Sequence, residues 1–456
     1  MQFTNLTFIL VFLPITLIVY YFVKLEHRPI VAIAFSILFY SWGTPEYIGL
    51  LFVSVSINII VSAILTSLNK KKNISKICSY IRNIIMVVII LLNLAVLYVF
   101  KYGKDLILPL GVSFYTFKVI SYLADCYSGE IDKIDVIKAA EYLVFFPQIS
   151  SGPISRYGIF SSNNQIDSQI FYRGTVRFMM GVSKKILLAD VLYKITSEVF
   201  SADVLSTSLC WLGAICFSLQ LYYDFSGYSD MAIGLSNMLG VKCEENFNHP
   251  YISKSVSEFW RRWHITLGSF FRDYIYIPLG GSRKGIVRTI INLFIVWILT
   301  GIWHGNGMTF VIWGVSYFAL IAFEKVSGFP NKINSKLIKG VYQIIVLLLV
   351  NFLWVIFNSN SIGEALIFLK SMIIYSPEYY SDLRAAFLLK DYIIVILLAV
   401  VFSIPISNMI KNKFNDNKLI CTLYSVLEGT VIIGSFVLSL AFIVNGFNNP
   451  FLYSIF

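Results

Sequence analysis

The sequence predicts an all-helical integral membrane protein with roughly ten to twelve transmembrane helices. Of its 456 residues, 57% are hydrophobic and 13% are charged, whereas soluble domains carry about 25% charged residues. Several apolar stretches approach the roughly 20 residues that cross a hydrocarbon core of about 30 Å. The clearest stretches are Leu6 to Val23, Tyr47 to Leu65, Ile84 to Phe100, Val341 to Phe357, Tyr392 to Ile410 and Thr430 to Val444.

The first of these stretches predicts a span that is retained. It has no basic segment before it and no small-residue cleavage site after it, so it does not fit a cleavable signal peptide. Lys and Arg favour cytoplasmic loops, and they follow the first stretch at Lys24 and Arg28 and the stretch that ends at Leu65 at Lys70–Lys72. The segment from Gly446 to Phe456 has no charged side chain. Both termini are therefore expected to be extracellular.

Charge and cysteine content narrow the expected partners. The net charge of +11 is explained by Lys and Arg residues concentrated in cytoplasmic loops, next to membrane lipids. The charge therefore does not require a nucleic-acid partner. The six cysteines are scattered, without a CxxC pair or a Cys/His cluster at metal spacing, and the sequence predicts no metal site. It also contains no GxSxG elbow or phosphate-binding loop, which disfavours covalent serine catalysis.

The hydropathy pattern is broken between residues 105 and 285 by Pro, Gly and charged residues. Irregular backbone at membrane depth is tolerated only where protein buries it or where it lines a wet cavity. We therefore expect re-entrant and amphipathic helices around a central tunnel. Within this region Gln148, Asp224 and Ser226 lie among apolar residues and need internal partners. A buried structural network is the alternative explanation for these polar groups.

The segment EFWRRWHITL carries two tryptophans and a histidine at helical spacing. An unbroken helix would place Trp260, Trp263 and His264 on one face, and it would turn Arg261 and Arg262 away from that face. Such a helix could lie in the membrane interface, with indoles at headgroup depth and guanidinium groups on anionic lipid. Alternatively, His264 lines the channel of an active site. The residues alone leave both interpretations open.

The segment TGIWHGNGMTFVIWG places His304 after an apolar span that begins near Ile290. An ionisable group at that depth is costly without a partner, which makes it a functional hypothesis by default. Histidine can take up and return a proton near neutral pH, as a hydroxyl nucleophile requires. The alternative is a helix-packing histidine among glycines that allow close helix approach.

Ordered motifs then reveal a family resemblance. They are LPLGVSFYTF, FFPQISSGPISRY, YYDFSGYSDMAIG, NFNHPYISKSVSEFWRRWHITL, RDYIYIPLGG and GIWHG. In these motifs the sequence resembles the membrane-bound O-acyltransferase family, and within it the alginate O-acetyltransferase AlgI-like branch of bacterial polysaccharide O-acetylation. The resemblance implies one membrane-embedded domain over residues 1–456, with N-terminal spans at 1–104, a catalytic core at 105–325 and C-terminal spans at 326–456.

The resemblance also implies roles for individual residues. His304 would be the catalytic histidine, and His264 the second histidine of the same tunnel. The other expected tunnel residues are Trp260, Trp263, Trp303, Gly305, Asn306, Gln148, Asp224 and Ser226. A basic surface on the donor side would comprise Arg261, Arg262, Arg283 and Lys284, whose charge could attract an anionic donor.

The implied reaction moves an acyl group, here expected to be acetyl, from a cytoplasmic thioester such as acetyl-CoA to hydroxyls of an extracellular polysaccharide. No bound cofactor is expected. A separate hydrolase-like acetyltransferase is an expected partner, and the apolar tail NPFLYSIF is a candidate contact for it. Two alternatives stay open. One is D-alanyl transfer from a carrier protein to teichoic acid, and the other is a transporter or flippase that passes a substrate without chemistry.

Overall fold

A computed structural model describes residues 2–69, 76–103, 106–160, 167–414 and 417–452 of the chain. The predicted cytoplasmic loop at Lys70–Lys72 lies outside the described residues, as do residues 453–456 of the apolar tail. The secondary structure of the described ranges is helical, and they contain no β-strand. This confirms the predicted all-helical class.

The described residues form nineteen α-helices, together with short 3₁₀ and π-helical turns. The helices are α1 (Leu13–Phe22), α2 (Arg28–Gly43), α3 (Ile48–Asn69), α4 (Lys76–Tyr102), α5 (Val112–Ser128), α6 (Val136–Val144), α7 (Phe146–Ile149), α8 (Ser168–Ser183), α9 (Asp190–Phe200), α10 (Thr207–Met238), α11 (Val256–Arg262), α12 (Ile265–Phe271), α13 (Ile286–His304), α14 (Met308–Ser327), α15 (Lys336–Asn358), α16 (Ile362–Ile373), α17 (Tyr379–Phe402), α18 (Ile406–Lys413) and α19 (Lys418–Val444). The π-helical turns are Phe8–Phe12, Lys184–Ala189 and Arg272–Tyr276, and the 3₁₀ turns are Leu25–His27, Pro45–Tyr47 and Pro250–Ile252.

Seven helices in the described ranges are long and apolar enough to cross a membrane, and a shorter apolar helix runs from Phe8 to Phe22. The seven are α3, α4, α13, α14, α15, α17 and α19. Many of their Leu, Ile, Val and Phe side chains are exposed, and lipid is the natural solvent for such surfaces. The chain is therefore a multi-pass membrane protein. The finer count of ten to twelve spans and the re-entrant helices stay predictions.

One predicted helix boundary is wrong. The sequence predicts a single span from Tyr392 to Ile410, whereas α17 ends at Phe402 and α18 begins at Ile406. Pro405 lies in the break, and proline disfavours helical backbone at the residue before it. Hydropathy does not detect this interruption because apolar residues such as Ile404 and Ile406 flank the proline directly.

Helix α10 is the longest described helix, and the sequence does not predict its length. It has 32 residues and spans about 48 Å at a rise of about 1.5 Å per residue. Every residue from 216 to 236 is buried, as expected for a helix enclosed by protein on all sides. Because its polar residues lie in protein, the helix can carry aspartates that a lipid-facing span would exclude.

The chain divides into two compact units. One comprises Met1–Gly181 and Tyr228–Glu245. Its core includes a cluster of phenylalanine rings, in which the ring of Phe146 lies 5.6 Å from those of Phe12 and Phe39 between centroids. Burial of such rings supplies the apolar contacts that hold the N-terminal helices together.

The other unit comprises Val182–Gly227 and Asn246–Leu452. It contains five of the apolar helices described above, α13, α14, α15, α17 and α19. Within it α13 packs extensively against α14, and α14 packs against α11 and α15. This unit holds both histidines that the sequence singled out, so the candidate site is built from it alone.

Candidate active site

His304 is the last residue of α13, and two glycines bring α13 close to α14. A Cβ added to Gly301 would lie 2.6 Å from the carbonyl oxygen of Phe310, and one added to Gly314 would lie 2.5 Å from the carbonyl oxygen of Trp297. A larger residue at either position would push the helices apart. The glycines therefore have the packing role that the sequence left open, and this packing fixes the end of α13.

The imidazole of His304 lies in an aromatic box and is 2% exposed. Its ring centroid is 4.8 Å from that of Trp303, 5.0 Å from that of Trp313 and 5.2 Å from that of Phe357. Apolar walls exclude water and strengthen the electrostatic interactions of a group that changes its charge. The box suits a histidine that exchanges protons with a bound substrate rather than with bulk solvent.

His264 lies at a break between two short helices, which corrects the sequence interpretation. Helix α11 ends at Arg262 and α12 begins at Ile265, so Trp260, Trp263 and His264 do not share one face of an unbroken helix. His264 has a left-handed backbone with φ of 45°, a conformation that is uncommon for non-glycine residues even though Asn, Asp and His adopt it more often than the others. Such strain costs about 1–3 kcal/mol and persists only where the surroundings impose it.

Hydrogen bonds from the segment before α11 impose this conformation. The backbone carbonyl of Asn246 accepts the amide of Ile265 at 2.9 Å, and the carbonyl of Arg262 accepts the amide of Asn248 at 2.9 Å. The side-chain oxygen of Asn246 accepts the amide of Thr266 at 3.3 Å and its hydroxyl at 2.9 Å. These bonds hold the chain on both sides of His264.

The same Asn246 oxygen assigns the tautomer of His264, because it lies 3.0 Å from Nδ1 of the imidazole. This oxygen accepts hydrogen bonds from the amide and the hydroxyl of Thr266, so it also acts as the acceptor towards His264. Nδ1 of His264 therefore carries the proton, and Nε2 carries the lone pair. Burial lowers the pKa of His264 to about 3, which keeps the ring neutral near pH 7. A general base works best with a pKa near the operating pH. His264 is therefore better suited to positioning than to proton abstraction.

One indole connects the two histidines. The ring of Trp303 lies 4.8 Å from that of His304 and 6.4 Å from that of His264, between centroids. His264 also meets the ring of Phe225 edge-on at 4.6 Å. The structure thus brings three predicted site residues, His264, Trp303 and His304, into one buried cluster.

The two tryptophans of the WRRW segment pack inside the protein. Trp263 is 1% exposed and its ring lies 4.9 Å from that of Trp354. The ring of Trp260 lies 5.6 Å from that of Trp313, which in turn contacts His304. The interpretation of this segment as a lipid-anchoring helix is therefore wrong for the indole of Trp263, whereas that of Trp260 is half-buried. Both indoles belong to the aromatic core that supports the His304 box.

A cavity of about 400 Å³ opens beside α11. Two acidic residues line it, but both are engaged: Glu258 pairs with Arg262 at 2.9 Å, and Glu324 accepts two backbone amides of α11 and the hydroxyl of Tyr342. The cavity consequently presents net positive charge and suits an anionic group. Its basic lining residues are Lys254, Arg261, Lys325 and Lys339.

Three further predicted tunnel residues are buried. Gln148 belongs to the unit that begins at Met1, where its Nε2 donates to the hydroxyl of Ser236 at 3.3 Å. Asp224 pairs with Lys185 at 2.7 Å. Ser226 is buried two residues further along α10. Their tunnel roles stay predictions, and Gln148 and Asp224 both have the internal partners that the structural alternative expects.

The remaining predicted residues lie near the surface. Asn306 is exposed after Gly305, and Arg283 and Lys284 are exposed before α13. At Gly305 a Cβ would lie 2.3 Å from the ring of Phe310, so glycine is required there for close packing. Within the described ranges, no three His, Cys, Asp or Glu side chains come together as a metal site.

The family model described as the membrane-bound O-acyltransferase family matches residues 37–362. This chain belongs to that family. The matched range contains both histidines of the site, all walls of the aromatic box and the basic cavity. The protein is accordingly an O-acyltransferase by family, as the motif resemblance implies.

Three relatives of this acyltransferase carry different names. The probable alginate O-acetylase AlgI of Azotobacter vinelandii is 33% identical, over 91% of this chain and 89% of its own. The peptidoglycan O-acetyltransferase of Helicobacter pylori is 30% identical, over 80% of this chain and 78% of its own. The teichoic acid D-alanyltransferase of Bacillus subtilis is 31% identical, over 48% of this chain and 61% of its own. The match over most of the chain confirms the AlgI-like branch.

Sequence reasoning missed several residues that build the site of this acyltransferase. Asn246 lies in the quoted NFNHPYI motif, but nothing in its spacing indicates a bond to His264. Trp313 and Phe357 read as ordinary apolar residues of spans. Lys254, Lys325 and Lys339 were visible only as loop charges. The common reason is that each contact joins segments that are distant in the chain.

Proposed function

We propose that this acyltransferase moves acetyl groups from a cytoplasmic thioester donor to hydroxyl groups of an extracellular polysaccharide, with His304 as the general base. The observation that carries the proposal is the buried cluster of His264, Trp303 and His304. Two relatives that match most of the chain are named alginate O-acetylase and peptidoglycan O-acetyltransferase, which supports acetyl as the group and a polysaccharide as the acceptor.

In the proposed reaction His304 takes the proton of an acceptor hydroxyl while that oxygen attacks the thioester carbonyl. The new C–O ester bond forms, the C–S bond breaks, and the proton passes to the leaving thiolate. His264 and Trp303 orient the reacting groups. The dry walls of the box keep water from competing as a nucleophile.

We place the donor at the basic cavity beside α11. Phosphates of a CoA-type thioester would meet Arg261 and the three lysines there. Eleven residues of α14 separate Trp313 from Glu324, a distance of about 16 Å at about 1.5 Å per residue. An extended pantetheine arm spans a distance of this order, so the thioester could reach the box while the phosphates stay at the cavity. Arg262 is paired with Glu258, which favours Arg261 as the direct contact.

The proposed orientation follows from the basic loops. With Lys325 and Lys339 on the cytoplasmic side, the cavity faces the compartment that contains acyl thioesters, and both termini are extracellular. Arg283 and Lys284 would add long-range attraction for the donor. A separate extracellular acetyltransferase is the proposed partner. The hydroxyl that His304 activates then belongs to an intermediate carrier of the acetyl group, and the partner completes the transfer to the polymer.

The experiment compares the ester-linked groups on cell-surface polymers from cells with and without this protein. Loss of O-acetyl groups alone is the expected result. Loss of D-alanyl esters from teichoic acid would instead establish the alternative suggested by the Bacillus subtilis relative. If both ester contents stayed at the parental level, the enzymatic proposal would fail and a transporter would become the better explanation.

A further inference from the structure

A buried lysine and two aspartates form an ionic cluster that the proposed chemistry does not use. Lys185 lies in the turn Lys184–Ala189, Asp190 begins α9 and Asp224 lies in α10. The Nζ atom of Lys185 lies 2.6 Å from Oδ1 of Asp190 and 2.7 Å from Oδ1 of Asp224. Each of the three side chains is 2% exposed.

These three side chains do not satisfy all of one another's hydrogen-bonding groups. Buried ions are costly unless all their hydrogen-bonding groups have partners. Lys185 has three N–H donors and uses two of them on the aspartates. Each aspartate uses one oxygen on the lysine and has a second oxygen to satisfy. One ammonium and two carboxylates also leave one negative charge in excess.

The segment Asn449–Leu452 supplies each missing partner. The amide of Asn449 donates to Oδ2 of Asp190 at 3.3 Å, and the amide of Leu452 donates to Oδ2 of Asp224 at 2.9 Å. The third donor of Lys185 reaches the carbonyl oxygen of Pro450 at 3.4 Å. The cluster is therefore shaped to bind this segment by its backbone.

A side chain of the segment adds to the binding. The ring of Phe451 is 3% exposed and lies 4.7 Å from Nζ of Lys185, close enough for a cation–π contact. The segment after α19 forms no α-helix, so its own backbone bonds do not fix its position. The ionic cluster binds its backbone at three points.

A second ionic cluster also involves α10. Arg177 contacts Asp230 at 2.9 Å and Glu245 at 2.5 Å, within the unit that begins at Met1. The guanidinium of Arg177 is the cationic partner of both carboxylates. Asp224 and Asp230 thus lie on the same helix but have different kinds of partner.

Helix α10 connects the bound segment to the candidate site. Asp224, which accepts the Leu452 amide, is followed on α10 by Phe225. The ring of Phe225 meets His264 edge-on at 4.6 Å. The position of the segment is therefore linked to the position of His264 through adjacent residues of one helix.

We propose that Lys185, Asp190 and Asp224 form a clamp that binds the backbone of Asn449–Leu452 and, through α10, fixes Phe225 against His264, so that the three are positioning residues for acyl transfer. The statement about acyl transfer rests on the proposed function. The statement about binding does not, because it concerns only contacts within this chain.

The binding test measures how fast a maleimide labels a cysteine at position 449 in the purified full-length protein, with the parent lacking that cysteine as the background. Asn449→Cys keeps the backbone amide that Asp190 accepts. Adding Leu452→Pro removes one amide donor, and adding Phe451→Leu removes the ring. A lost bond to a charged group should speed labelling by about tenfold or more.

Two matched controls separate release of the segment from general loosening. Asp224→Asn should speed labelling, whereas Asp230→Asn on the same helix should not. Phe447→Leu removes a ring that lies 3.8 Å from Nζ of Lys194, outside the clamp, and should leave the rate unchanged. Equal labelling rates in Asp224→Asn, Leu452→Pro and the starting protein would overturn the clamp.

The positioning role is tested by the kinetics of acyl transfer in the same variants without the added cysteine. Leu452→Pro and Asp224→Asn should lower kcat by about tenfold or more while the KM for the thioester stays near that of the parent. Faster labelling with parental kcat would overturn the positioning role. An inactive parent protein would count against the proposed function instead, and the labelling rates would still decide the clamp.

Discussion

The four histidines of the chain provide matched comparisons at the scale of single residues. His304 and His264 belong to the aromatic cluster. His249 shares the left-handed backbone of His264, with φ of 45°, but its Nδ1 faces the carbonyl of Ser403 at 3.1 Å. His27 is exposed. Substitutions at these positions can therefore separate the chemistry of an imidazole from its packing and its backbone conformation.

His304→Asn should lower acyl transfer by about 10²- to 10⁴-fold, because proton transfer by a positioned histidine contributes about that much and an amide cannot replace it. The measurement is the O-acetyl content of the cell-surface polysaccharide at matched membrane levels of each variant. The His304→Asn protein is expected to insert and fold, since the amide is smaller than the imidazole.

His249→Asn is the control, because asparagine tolerates left-handed backbone, and it should acylate at the parental rate. His264→Asn should lose about 5- to 30-fold, the effect of one or two kcal/mol of lost positioning. If the His304→Asn protein acylated at the parental rate, His304 would not be the general base.

At the scale of elements, the closeness of α13 and α14 depends on glycine. Gly301→Ala should destabilise the protein by about 1–3 kcal/mol, the usual cost of overpacking, because its Cβ would lie 2.6 Å from the carbonyl oxygen of Phe310. The measurement is the melting temperature of the purified protein in detergent. Gly434→Ala in α19 is the control, since its Cβ would meet nothing within 4 Å. Equal melting temperatures for the two variants would contradict this account of the packing.

Helix α11 carries the second prediction at this scale. Arg261→Ala should raise the KM for acetyl-CoA about two- to fivefold, because an exposed ionic contact contributes about 0.2–1 kcal/mol. The effect should shrink at high salt. Arg283→Ala provides the comparison, because this exposed residue does not line the cavity. If both variants changed the KM equally, the attraction would belong to the whole basic surface and not to the cavity.

The elements also show which features local patterns predict. Apolar runs located α3, α4 and α15 because a lipid-facing span must be apolar along its length. The same patterns missed the full extent of α10, in which buried aspartates lower the hydropathy. The break at His264 was missed as well, because the left-handed residue is held by bonds from Asn246, which no local spacing reveals.

For the whole molecule, the orientation rests on the Lys and Arg count. A cysteine at position 71 should react with a membrane-impermeant maleimide only after the cells are permeabilised. A cysteine at position 455 should react in intact cells. The pair is matched because the same reagent and the same preparation are used. Labelling at position 71 but not at 455 in intact cells would reverse the orientation and move the basic cavity to the outside.

In the whole molecule, the residues that the motifs select come together only in part. His264, Trp303 and His304 come together as the resemblance implies, whereas Gln148 and Asp224 lie in separate polar networks. The division into spans at 1–104, a core at 105–325 and spans at 326–456 stays a prediction. Long-range contacts, such as that between Asp224 and Leu452, decide the arrangement, and a single sequence does not encode them in any local pattern.

The left-handed backbone of His264 and His249 affects which substitutions can accumulate at these two positions during evolution. A single change in the first base of a histidine codon gives asparagine or aspartate, two residues that tolerate this conformation. Such variants at either position should therefore preserve the local chain path. Natural variation should then accumulate at position 249 and be purged at position 264, and that contrast would record selection on the imidazole rather than on folding.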